Sequence, residues 1–154
     1  MRLTPIEFVP QADLKDLGMD IVDDLRDGLV QVSFAVMAVL SRVASERDLS
    51  LTQLRVLGIL RDREPTMAEL ATYLGLERST VSGLIDRAVQ RGLVRKATDS
   101  ADGRSVRVSL TAEARRLTTR VIADIGELMA PMTDRLNPGE QKRLSALLLK
   151  VLDG

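Results

Sequence analysis

From Leu14 to Val43 the apolar residues Leu14, Leu17, Ile21, Leu25, Leu29, Val32, Val36, Val39 and Val43 follow one another at steps of three or four. That spacing is the helical period and places all of them on one stripe. It predicts one helix over about Asp13–Arg47, on the order of 50 Å long at a rise of ~1.5 Å per residue. A stripe of that length outruns what the short elements of a 154-residue chain can cover. The second half of the chain adds to the excess. Leu117, Val121, Ile125, Leu128, Met132 and Leu136 form another helical stripe after Thr111, a candidate N-cap. Pro131 lies inside it and is expected to kink or shorten that helix. Asn137-Pro138-Gly139-Glu140 reads as a fresh helix start, with Asn as N-cap and Glu three residues on. Leu144, Leu147, Leu148, Val151 and Leu152 then share one face. Three apolar stripes without a cover predict an obligate homodimer built on residues 10–47 and 112–154.

What the chain lacks removes whole classes of chemistry. With no Cys and no His, it has no disulfide framework, thiolate or imidazole metal site, thiol redox switch or Ser-His-Asp triad. Phe8, Phe34 and Tyr73 are its only aromatic residues, too few for a base-stacking RNA platform. The start carries no apolar run resembling a secretory signal. The longest uncharged run, Gly28–Ser41, has 14 residues, against roughly 20 for a membrane span. Asp20, Asp23, Asp24 and Asp27 suggest a metal or acid-base cluster, but on a long helix they read as a solvated face. Met37, Met129 and Met132 fall on helical stripes and read as core or dimer packing. A cytoplasmic protein with no membrane association, no metal, no cofactor and no enzymatic activity is expected.

The middle of the chain is punctuated differently. Leu51–Leu60 reads as a short amphipathic helix capped by Ser50 or Thr52 and stopped by Glu64-Pro65. Thr66-Met67-Ala68-Glu69 is a capping box that opens a second short helix, with Leu70, Ala71 and Leu74 inward. Gly75 supplies a permissive backbone for the turn that follows. A third helix spans about Glu77–Arg91, with Val81, Leu84, Ile85 and Ala88 inward and Gly92 just past its end. Two short helices joined by a three- or four-residue turn with glycine make a helix-turn-helix. Leu93–Thr98 and Ser105–Leu110 read as strands around a turn at Asp99–Gly103, so a hairpin wing follows the motif.

Charge is partitioned to match. Lys+Arg and Asp+Glu are both 22, so the chain is formally neutral. Residues 1–30 hold seven acids and three bases, a balance of −4. Residues 78–116 hold nine bases against four acids, a balance of +5. A basic block on a helix-turn-helix is the electrostatic footprint of a nucleic-acid binder; the plainer alternative is chance clustering on a solvated face.

Taken together, these segments resemble the MarR family of winged-helix transcription regulators. The resemblance rests on Leu51–Leu57, on Leu70-Ala71-Thr72-Tyr73-Leu74-Gly75-Leu76 and on Arg78-Ser79-Thr80-Val81-Ser82-Gly83-Leu84-Ile85-Asp86-Arg87. Gln90–Val94 and the wing Asp102-Gly103-Arg104 with Leu110-Thr111 complete it. It covers roughly 51–111, and the flanking helices match the family's dimerisation elements in type and order. It implies a mainly α fold with a small β-hairpin wing. The expected organisation is an N-terminal dimerisation region at 1–47, a winged helix-turn-helix domain at 48–111 and C-terminal dimerisation helices at 112–154. Three departures stand out. The family's usual Asp-Arg-Arg wing is Asp102-Gly103-Arg104 here, the Gly that commonly follows the wing's Leu-Thr is Ala114, and Ala88 replaces a usual Leu, which implies looser local packing.

The candidate DNA-binding residues follow. Arg78, Ser79, Thr80, Ser82 and Gly83 lie on the third helix away from its apolar side, with Arg87 a turn further on. Small hydroxyls beside a small residue let a helix sit deep in the major groove. Gly83 costs ~1 kcal/mol against Ala in a helix interior, which calls for a packing or contact reason. The resemblance sends Arg104 into the minor groove and makes Asp102 the brace of the wing; a plain turn salt bridge is the alternative. Thr66 caps its helix in either case, and that helix N-terminus is a further phosphate-binding candidate. The implied partners are double-stranded DNA, a second copy of the chain and a small lipophilic or aromatic effector between dimer helices and winged domain. The expected function is a sequence-specific homodimeric regulator, in this family usually a ligand-responsive repressor, on a pseudo-palindromic operator. The competing reading is a winged-helix protein-interaction adapter without DNA readout, which would more naturally expose an apolar groove.

Overall fold

The structure, a computed structural model, describes residues 21–153. Its elements are α1 (Ile21–Ser45), α2 (Leu51–Leu60), α3 (Met67–Leu74), α4 (Arg78–Gln90), β1 (Val94–Thr98), β2 (Val106–Leu110), α5 (Ala112–Thr133) and α6 (Pro138–Leu152). The fold is mainly α with one antiparallel hairpin, as expected. The start of the long N-terminal helix at Asp13, with Leu14, Leu17 and Asp20, lies outside the described residues. Of two compact units, Met1–Ala38 and Val39–Gly154, the first is described only as the N-terminal part of α1.

Within the second unit each boundary has a local cause. Ser50 caps α2, and its reciprocal partner Gln53 returns a bond to the Ser50 backbone. The expected box at Thr66 and Glu69 opens α3, and a third, Asn137 with Glu140, opens α6. Such reciprocal pairs satisfy backbone donors that the first helical turn leaves unbonded. Gly75 ends α3 at φ 66° and Gly92 follows α4 at φ 69°, left-handed positions where a side chain is disfavoured. α2 ends at Leu60, before the Glu64-Pro65 pair expected to stop it. Pro131 sits in the last turn of α5, which closes two residues later at Thr133. Leu136, placed by its spacing on the α5 stripe, therefore falls in the following turn.

β1 and β2 pair in the register Val94↔Leu110 to Thr98↔Val106. A second pairing has no hint in the sequence: Thr66 bridges Arg107, and the Val108 N–H donates to the Pro65 carbonyl at 2.9 Å. The hairpin is thereby stitched to the N-terminus of α3. The core lies between these elements, with Leu57, Leu60, Leu70, Val81, Ile85, Val108 and Leu110 almost wholly buried. Each such side chain contributes about 1.5–3 kcal/mol, so the helix-turn-helix and wing share one rigid interior. α5 reaches that interior through Ala114 and Val121.

The expectation of three uncovered stripes fails for α5, whose Leu117, Ile125 and Leu128 pack against this core, and for the end of α1, where Val43 and Ala44 are buried; it holds for the rest of α1 and for α6. Leu25, Leu29, Val32 and Met37 on α1 are exposed, and α6 buries no residue, with Leu147 at 52% and Leu152 at 78% exposed. The uncharged run of 14 residues understates α1: by length and composition alone, Asp23–Ser45 is long and apolar enough to cross a membrane.

Candidate nucleic-acid interface

α4 separates its two faces as the sequence predicts. Val81, Leu84, Ile85 and Ala88 are buried, while Arg78, Ser79, Thr80 and Arg87 are exposed and Ser82 and Gly83 are half-buried. A groove of about 380 Å³ runs between this face, the start of α3 and the wing. Thr66, Arg78, Ser82, Lys96, Arg104 and Ser105 are among its lining residues. It thus gathers four of the predicted residues: Thr66, Arg78, Ser82 and Arg104. Ser79, Thr80, Gly83 and Arg87 lie on α4 beyond its lining. Asp102 turns into its own loop, where its carboxylate accepts from the Arg104 N–H at 3.0 Å and the Ser105 hydroxyl at 3.4 Å.

Among the described residues nothing packs against Gly83 closely enough to require a glycine. A Cβ built there meets only the Arg87 Nη1 at 3.5 Å, an ordinary contact with the end of a flexible side chain.

The nine bases of the 78–116 block are not equivalent, which their count does not reveal. Arg91 donates to the Asp48 carbonyl at 2.6 Å. Lys96 pairs with Asp86, Arg107 with Asp99 at 3.1 Å and Arg115 with Glu64 at 3.4 Å. Arg78, Arg87, Arg95, Arg104 and Arg116 make no side-chain hydrogen bond or ion pair among the described residues. Free guanidinium groups thus stand at the start of α4 and at the wing tip. The plain alternative of an Asp102–Arg104 salt bridge does not form.

Two features escape a reading of the sequence. First, Asp99 is buried at the base of the wing loop, 7% exposed. Its carboxylate accepts from the Ala101 N–H at 3.0 Å and pairs with Arg107. These contacts, the Ala101 N–H foremost, hold its carboxyl below the usual range. Second, the Glu69 carboxylate takes both the N–H and the hydroxyl of Thr66, at 2.7 and 3.1 Å. The Thr66 N–H and then its hydroxyl lower the Glu69 pKa. A phosphate at this helix start would therefore meet the amides beyond Thr66 and a neighbouring negative charge. Among the described residues no group of Asp and Glu is placed to hold a metal ion, and Asp23 is paired with Arg26 at 3.1 Å.

Residues 47–105 match the family model described as the MarR family. Over 143 residues the chain is 30% identical to the HTH-type transcriptional repressor NicR of Pseudomonas putida, covering 92% of this chain and 90% of NicR. The chain belongs to the MarR family. Its members are transcriptional regulators, not enzymes. A solved mutant of MarR from E. coli in complex with operator DNA has a similar structure. Its TM-score is 0.68 at 25% identity, over 87% of this chain and 99% of that one. NadR in complex with 4-hydroxyphenylacetate shares the fold, with a TM-score of 0.71 at 23% identity over 82% of this chain and 91% of NadR. Within this MarR-family chain, the groove lies where helix-turn-helix and wing meet.

Proposed function

We propose that this chain is a homodimeric, sequence-specific repressor that grips a pseudo-palindromic operator with α4 and the wing. The observation that carries the reading is the placement of Arg78 and Arg104, both without acidic partners among the described residues, on one groove beside Ser82. In this reading α4 enters the major groove and presents Ser79, Thr80, Ser82 and Gly83 to base edges, with Arg78 and Arg87 on phosphates. Arg104 enters the adjacent minor groove, where narrow width and negative potential attract arginine. Asp102 orders the tip that carries it, and the α3 start at Thr66 lies against the backbone.

The exposed apolar faces of α1 and α6 are assigned to a second copy of the chain. Residues 1–47 and 112–154 then form the dimerisation regions and 48–111 the DNA-binding domain. A membrane would cover α1 equally well, but membership of a family of DNA-binding regulators favours a partner, and with it a cytoplasmic site of action. An adapter without DNA readout finds little support in an α4 face that is polar. Repression follows the relative NicR, named a repressor. Response to a small aromatic or lipophilic effector follows the fold neighbour NadR, solved with 4-hydroxyphenylacetate.

A salt titration tests the reading. Basic side chains that displace counterions make affinity for duplex DNA fall steeply between low and moderate salt. Affinity that holds constant across that range refutes it.

A further inference from the structure

We propose that Asp99 and Arg107 form a clamp that sets the wing tip over α4, making both positioning residues for duplex recognition. The proposal rests on the reading of α4 and the wing as the DNA-binding face. Arg107 on β2 reaches in two directions. One guanidinium nitrogen lies 3.1 Å from an Asp99 carboxylate oxygen, and another donates to the Glu64 carbonyl at 2.8 Å. Its backbone bridges Thr66. One strand residue therefore ties the base of the wing loop to the segment that opens α3.

Asp99 completes the tie. Its N–H donates to the Ser105 carbonyl at 2.8 Å, closing the loop that carries Arg104. Its carboxylate takes the Ala101 N–H at 3.0 Å. A buried carboxylate is costly unless hydrogen-bonded and paired, and here both conditions are met. The groove has Thr66 on one wall and Arg104 and Ser105 on the other, so the clamp fixes the separation of its walls. Through charge alone, Asp99 opposes a polyanion. Only through geometry does it favour binding, and that difference gives the test its sign.

The measurement compares wild type, Asp99→Asn, Arg104→Ala and the double variant. The probes are a duplex selected by the wild-type protein from a random pool and a scrambled duplex of the same length. Asp99→Asn removes a negative charge, yet the clamp predicts weaker binding to the selected duplex by about tenfold, within the range for coupled neighbours. In the Arg104→Ala background the same substitution should cost less than about twofold, because its effect passes through the wing tip. Arg107→Lys keeps the charge but not the two-way reach, so it should lose a similar factor. Should Asp99→Asn melt before it can be measured, Arg107→Lys in the same Arg104 cycle carries the test. Unchanged or tighter binding by the clamp variant overturns the proposal. So does a loss of equal size with and without Arg104, the mark of general damage to the fold. A wild-type protein that selects no duplex overturns the functional reading, and the clamp as a recognition device falls with it.

Discussion

Gly83→Ala separates what α4 needs for folding from what it needs for binding. Among the described residues the added methyl meets nothing but the end of the Arg87 side chain at 3.5 Å, so no clash there offsets its benefit. Alanine in a helix interior is favoured over glycine by about 1 kcal/mol. For a chain of this size that raises the melting temperature by roughly 2–4 °C. If α4 lies deep in a major groove, the methyl stands where the duplex comes closest. Crowding a well-packed contact costs about 1–3 kcal/mol, which is about a fivefold to hundredfold loss of affinity for the selected duplex. The two signs are opposite, and the assays are a thermal melt at fixed protein concentration and a binding curve at fixed salt. A variant that is stabilised and binds like wild type refutes the close approach. One that is destabilised refutes the claim that nothing among the described residues requires this glycine.

Other substitutions divide the remaining roles. Arg104→Ala should weaken selected and random duplexes alike, whereas Ser82→Val or Thr80→Val should remove roughly 1–3 kcal/mol of discrimination and spare non-specific affinity; the reverse pattern would exchange the two assignments. Sedimentation at micromolar concentration should show a dimer, and a folded monomer would leave the apolar faces of α1 and α6 unexplained. The lowered pKa of Asp99, caused first by the Ala101 N–H and then by Arg107, adds stability above the unfolded value near 4 and loses it as pH falls through the folded value. The melting-temperature gap between wild type and Asp99→Asn should therefore be full at neutral pH and close below about pH 4; a gap that widens with acid contradicts this.

The parts of the fold legible in the sequence are those decided by neighbours along the chain. Thr66 and Glu69 stand three residues apart, so their capping box needs no tertiary information, and the same holds for Gly75 and Gly92 at helix ends. The apolar periods of α4 and α5 likewise mark their inward faces. What stayed hidden depends on groups brought together by folding. Asp99 and Arg107 sit on opposite sides of a turn, and nothing in their spacing shows that one is buried and paired with the other. Thr66 and Arg107 are joined by a single bridge, too short to leave an alternating pattern. The basic block announces positive charge but not that Arg91, Lys96, Arg107 and Arg115 are already engaged. Leu136 kept the period of α5 while lying past its end, because a stripe carries no information about where hydrogen bonding stops.

The central claim is that two copies of α4 and its wing read one duplex together. Sequencing the DNA fragments retained by the purified protein from a random pool tests it directly. The account predicts an enriched pseudo-palindrome whose half-sites lie about one helical turn, roughly 34–36 Å, apart. Recovery of no enriched sequence, or of a single half-site without its symmetric mate, would contradict it.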